Sequence, residues 1–197
     1  LHAISPHLYA KLPFDAMKDF TFITPLVAFN NVLVVGPAAP LRSVQEGGRF
    51  FGDSDAWIEK IRPLIPYADY VDIEQPFARH APEVRAANKK IIASHHTGQM
   101  VPLYILFVME RELRAFGDIP KIVVTPQSNE DVLELLSFTQ AAAKPICTGV
   151  MGDRFRHARA MLPLFGSEFV YCHTGSATAA GQYSVEEFAR LREILGF

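Results

Sequence analysis

Residues 117 to 128 read Gly117-Asp118-Ile119-Pro120-Lys121-Ile122-Val123-Val124-Thr125-Pro126-Gln127-Ser128. Ile122, Val123 and Val124 form a short β-branched run, with Pro120 before it and Thr125-Pro126 closing it. That is the pattern of a strand buried on both faces, as in a parallel sheet covered by helices. Lys121 lies inside this strand and has two readings. It is either an edge lysine whose stem is covered while its ammonium reaches water, or a buried amine. In the second case desolvation disfavours the charge, lowers the pKa and leaves a nucleophile able to form a Schiff base with a carbonyl.

Outward from that strand the chain alternates short β-branched runs with amphipathic segments. Strands are expected at Leu1–Ser5, within Ala16–Thr24, and at Asn31–Gly36, Asp69–Glu74, Lys90–Ser94, Ile119–Thr125, Pro145–Val150 and Glu168–His173. Asp53-Ser54-Asp55 caps a helix from about Ala56, with Trp57, Ile61 and Leu64 at helical spacing and a kink or early end at Pro63. Further helices are expected over Pro82–Asn88, Pro102–Phe116, Asn129–Ala142 (Val132, Leu133, Leu135 and Leu136 inward), Phe155–Leu164 and Ser184–Leu195. The last has Ser184 as its cap and Glu187 as box partner. Eight strand candidates with intervening helices predict an α/β fold with a parallel sheet closed into a small (β/α)8 TIM barrel, a single domain over residues 1–197. The alternative is an open doubly wound sheet, which wants a Gly-rich first turn that does not follow Leu1–Ser5.

Composition removes several classes of function. Hydrophobic residues make up 49% of the 197, too many for disorder. The net charge of −2, with no basic run or aromatic-interleaved Arg/Lys stripe, argues against nucleic acid as a partner. No apolar run approaches the ~18 residues of a membrane span. Cys147 and Cys172 sit in apolar runs with neither a disulfide framework nor metal spacing, which fits a reducing cytoplasm. The chain opens on Leu1 with neither a basic leader nor a signal core, as expected of a trimmed or incompletely ordered start.

In a barrel the site lies at the C-terminal ends of the strands. There the sequence offers Glu74, His96, Lys121 with Thr125, and the Met151-Gly152 loop leading to Arg159. After the last strand comes the small-residue loop Gly175-Ser176-Ala177-Thr178-Ala179-Ala180-Gly181-Gln182. A lysine can bond a carbonyl covalently, a histidine can move protons, and a carboxylate can orient the histidine. Each has a plainer alternative. Asp72 and Glu74 share a face, and either could be an ordinary ion-pair partner. His95 and His96 point apart and lack a third ligand for a metal. Arg154, Arg156, His157 and Arg159 could be a solvated helix face.

Taken in order, these stretches resemble the type I 3-dehydroquinate dehydratases, Schiff-base enzymes of the shikimate pathway. The resemblance runs from Arg42 nearly to the C-terminus. It rests on Arg42-Ser43 with Glu46-Gly47-Gly48, Asp69-Tyr70-Val71-Asp72-Ile73-Glu74, Ser94-His95-His96, Gly117-Asp118-Ile119-Pro120-Lys121-Ile122, Met151-Gly152 leading to Arg159, Phe165-Gly166-Ser167, and Ala179-Ala180-Gly181-Gln182. It implies a hydro-lyase in which Lys121 forms the imine, His96 is the acid/base and Glu74 its carboxylate partner. Arg42, Arg159, Thr178 and Gln182 would hold a small-molecule substrate. It implies no metal and no dissociable cofactor, and the residues leave open whether the chain works as a homodimer. The chain departs from the family where the second strand carries Glu-x-Arg-x-Asp; Phe20–Leu26 here has neither acid nor arginine. That departure keeps two rivals in view: an aldolase-like Schiff-base lyase on another carbonyl, and a barrel without turnover that serves as a binding module.

Overall fold

The computed structural model describes residues 32–33, 52–175, 177 and 179–196. Among them five strands form one parallel sheet in the order of the chain: β1 (Val32–Leu33), β2 (Tyr70–Glu74), β3 (Lys90–His96), β4 (Ile119–Val124) and β5 (Cys147–Val150). A sheet that adds each strand to the same side, with right-handed crossovers, carries all its helices on one face. That is an arc of a barrel; a doubly wound sheet reverses its order and carries helices on both faces. The first two expected strands lie outside the described residues, as does all of the third except β1.

The crossovers follow local sequence. Helix α1 (Ser54–Ile61) starts where the Asp53 carboxylate accepts from the Ala56 amide at 2.8 Å. It stops where expected, because Pro63 and Pro66 carry the chain into a 3₁₀ turn over Arg62–Tyr67. A second 3₁₀ turn (Gln75–His80) leads into α2 (Ala81–Ala86). Helix α3 (Leu103–Arg114) follows Pro102, and α4 (Asn129–Ala141) is capped by Ser128, which accepts from the Asp131 amide at 3.2 Å. Helix α5 (His157–Met161) is shorter than its pattern suggested, since Pro163 turns the rest into a 3₁₀ segment, Leu162–Phe165. Helix α6 (Val185–Leu195) opens on the expected Ser184/Glu187 box.

Strand alternation splits the side chains into two layers. Ala93, Ile122, Val124, Ile146 and Val150 pack outward on Leu106 and Leu113 of α3 and Leu135 and Phe138 of α4. Val71, Ile73 and Ile91 do the same against Trp57, Ile58 and Ile61 of α1. The opposite face gathers Ile92, Ile119 and Cys147 with Tyr70, Phe169 and Tyr171. This inner face is the barrel interior.

Two expectations are corrected. Leu133, expected to face inward from α4, is 62% exposed. The buried stripe is Val132, Leu135, Leu136 and Thr139, spaced 3, 1 and 3, and Leu133 lies about 100° off it. The expected eighth strand, Glu168–His173, forms no ladder among the described residues. Beside β5 the Ser167 hydroxyl takes the ladder positions, accepting from the Thr148 amide at 2.9 Å and donating to its carbonyl at 3.2 Å. Among the described residues, its backbone pairing is Glu168 N–H on the Ile146 carbonyl and an isolated bridge between His173 and Ser184.

The Gly117-Asp118 pair turns out to be scaffold. A Cβ on Gly117 would stand 2.3 Å from the Cβ of Ala93, so the chain enters β4 in contact with β3. The Asp118 carboxylate then accepts from the Ile91 amide at 2.7 Å while its own amide donates to the Ile91 carbonyl at 2.9 Å. Together they fix the register that places Lys121. Gly117→Ala should therefore destabilise the fold by about 1–3 kcal/mol, the usual cost of overpacking. A thermal melt unchanged from wild type would contradict this close packing.

Candidate active site

Parallel register lines up four side chains at one level. Glu74 pairs with Ser94, Ser94 with Lys121, and Lys121 with Cys147. Each lies on the inner face, in step with Tyr70, Ile92, Ile119 and Cys147 of the inner cluster. All four are buried: Glu74 is 7% exposed, Ser94 0%, Lys121 6% and Cys147 2%. The edge-lysine reading of Lys121 is thereby excluded. Its amine donates to Asp72 Oδ2 at 2.7 Å, and both side chains are 8% exposed. The Tyr171 ring centroid lies 4.6 Å from the same nitrogen. A buried amine is tolerable when a carboxylate and a ring face replace its water. The Cys147 thiol is pushed up to about 11 by burial, which outweighs the opposing influence of Lys121, so it stays protonated beside the amine.

The two histidines part as alternation requires. His96 lies two residues beyond Ser94 on the inner face, opposite Val123 of β4. His95 turns to the helix side, where a ring nitrogen (Nδ1) lies 2.7 Å from Gln75 Oε1 and Gln75 Nε2 donates to Glu112 at 3.3 Å. Burial, then the neighbouring His96, holds the His95 pKa below the usual histidine value of 6.5. An unfolded chain binds that proton more readily, so stability is full above about pH 6.5 and falls as the pH drops through the folded pKa. Melting temperature between pH 7.5 and 5.5 should fall more for wild type than for His95→Gln; equal slopes would contradict the assignment.

Beyond the strand ends, two loops meet. Gly181, at φ +74°, packs so closely that a Cβ there would stand 2.3 Å from the Gly152 carbonyl oxygen. Arg159, from α5, donates to the Ala180 carbonyl at 3.2 Å, and burial lowers its pKa. The structure thus joins the Met151-Gly152 loop, Arg159 and the turn carrying Gln182. Around them Arg156 stacks 4.0 Å over the Tyr183 ring and pairs with Glu187 at 3.3 Å, anchoring α6. Arg42 and Thr178 lie outside the described residues.

Sequence reasoning missed Asp72 as the partner of Lys121 and Tyr171 as its cover. Asp72 was visible only as sharing a face with Glu74. Its meeting with Lys121 depends on the register across β2, β3 and β4, which no local spacing encodes.

Residues 25–196 match the family model described as type I 3-dehydroquinase. The 3-dehydroquinate dehydratase of Methanoregula boonei is 60% identical over 157 residues, covering 80% of this chain and 75% of that protein. The chain belongs to the type I 3-dehydroquinase family. Among solved structures, the 3-dehydroquinate dehydratase of Aquifex aeolicus aligns with a TM-score of 0.67 at 33% identity, over 78% of this chain and 71% of that one. The type I enzyme of Clostridium difficile, solved with covalently modified comenic acid, aligns at 0.70 and 25% identity, over 78% and 66%. The fold of this type I 3-dehydroquinase is therefore the (β/α)8 barrel, with β1–β5 as its described arc. Among its described residues no helix is long and apolar enough to cross a membrane.

Proposed function

We propose that Lys121, His96 and Glu74 carry the reaction of this enzyme, the dehydration of 3-dehydroquinate to 3-dehydroshikimate through a lysine Schiff base in the shikimate pathway. Lys121 attacks the ring ketone and forms an iminium, which acts as an electron sink and acidifies the neighbouring C–H. His96 removes that proton and then protonates the departing hydroxyl, while Glu74 orients the imidazole. Arg42 and Arg159 suit bidentate recognition of the substrate carboxylate. Thr178 and Gln182 would hold ring hydroxyls. The observation that carries the reading is a buried lysine amine on the barrel's inner face, level with Glu74 and one strand from His96. Turnover of 3-dehydroquinate, followed by enone absorbance, tests it. Residues 1–197 are taken as one barrel domain, working in the cytoplasm on a small-molecule substrate, alone or as a homodimer.

Phe20–Leu26, outside the described residues, offers no acid or arginine to the pocket, and the family match begins only at residue 25. One missing charge-assisted hydrogen bond is worth roughly 1.5–3 kcal/mol, about one to two factors of ten. Contacts that act equally on ground and transition states appear in KM, and those that orient the ring for proton removal appear in kcat. Because the imine forms on β4, capture should survive where turnover is weak. A KM in the low micromolar range with efficient turnover would contradict this weakened wall.

A further inference from the structure

We propose that Asp72 is the proton acceptor and donor for imine formation at Lys121, an inference that rests on the Schiff-base reading above. A lysine ammonium has no lone pair and cannot attack a carbonyl until it gives up a proton. The Asp72 carboxylate is within direct reach, 2.7 Å from Nζ. Cys147, the neighbour across the β4–β5 register, is held as a neutral thiol and is not a base for this step. Asp72 keeps its second oxygen, Oδ1, buried with no hydrogen-bond partner among the described residues. An oxygen left open is a place for a proton to reside.

The step balances. Asp72 takes one proton from the ammonium, and the neutral amine adds to the ketone carbon. The new C–N bond forms as the carbonyl pair moves to oxygen, and one N–H proton passes to that oxygen, giving a neutral carbinolamine. Asp72 returns its proton to the hydroxyl, which leaves as water while the nitrogen pair forms the C=N bond. The iminium faces the same carboxylate that faced the ammonium. Charge in the pocket is therefore equal before and after, and no further acid or base is consumed. Asp72 serves the imine, and His96 on the neighbouring strand is left for the C–H and C–O steps.

The test is rapid-quench borohydride capture with 3-dehydroquinate, run on wild type, Asp72→Asn and Asp72→Ala. Asp72→Asn keeps the side-chain shape, and its capture rate should fall by about 10²-fold or more, the worth of a positioned acid/base. The deuterium isotope effect of C–H removal on turnover should shrink toward one as imine formation becomes limiting. In Asp72→Ala, formate should restore capture in proportion to its concentration, and chloride at equal ionic strength should not. A merely structural counter-ion would give neither the collapsed isotope effect nor carboxylate rescue. Capture by Asp72→Asn at the wild-type rate, or an Asp72→Ala protein indifferent to formate, would overturn the role of Asp72 alone. Failure of wild type to be captured at Lys121 would remove the Schiff-base reading and this inference with it.

Discussion

Lys121→Ala should abolish imine capture and drive turnover below detection. In the described inner layer the amine at the level of Glu74 and Ser94 is Lys121. Lys89 is half-buried, its amine reaching the Pro66 carbonyl, and exposed Lys90 has its amine 5.7 Å over the Tyr70 ring at the opposite end of β3 from His96. Neither is placed to replace it. The variant also leaves Asp72 buried without its partner, a loss of about 3–5 kcal/mol when a buried pair is broken from one side. Loss of activity therefore has to be read on protein shown to be folded by its thermal melt. Lys121→Met, which keeps the volume of the stem, should also lack capture. Capture persisting in either variant would place the covalent residue elsewhere.

His96→Ala should separate the two halves of the reaction. Imine formation should continue, because it needs Lys121 and Asp72, while turnover should fall by about 10²–10⁴-fold for want of a positioned acid/base. The adduct captured from this variant should carry substrate that has not been dehydrated. His95→Ala should leave chemistry nearly intact, since His95 faces Gln75 and the helix layer. Mass spectrometry of the reduced adducts, paired with enone absorbance, reads both. A larger loss in His95→Ala than in His96→Ala would mean that the inner face of β3 had been assigned one residue out of step.

The sequence made much of this legible because parallel-barrel strands are short and buried on both faces. Ile122 and Val124 point outward into the helix layer while Lys121 points inward, and a lysine within such a run is conspicuous. Ser184 and Glu187, and Asp53, were readable because capping uses local hydrogen bonds three residues apart. Long-range facts were less accessible. Composition made Glu168–His173 a strand, but whether it forms a ladder depends on what Ser167 does to Thr148 across the gap. Leu133 has the same apolarity as Leu135 and Leu136, and only its angular position sends it to solvent. Gly117 and Asp118 were recognisable as part of a motif, yet their work is steric and architectural, holding β4 against β3. Asp72 belonged to the right strand and face, but its partner lies 49 residues along the chain and two strands away.

The most direct measurement is peptide mapping of wild-type protein reduced with borohydride in the presence of 3-dehydroquinate. The expected result is ligand mass on the peptide carrying Lys121, localised to that residue by fragmentation and dependent on both reductant and substrate. Ligand mass on Lys89 or Lys90, or no adduct at saturating substrate, would contradict Lys121 as the Schiff-base residue.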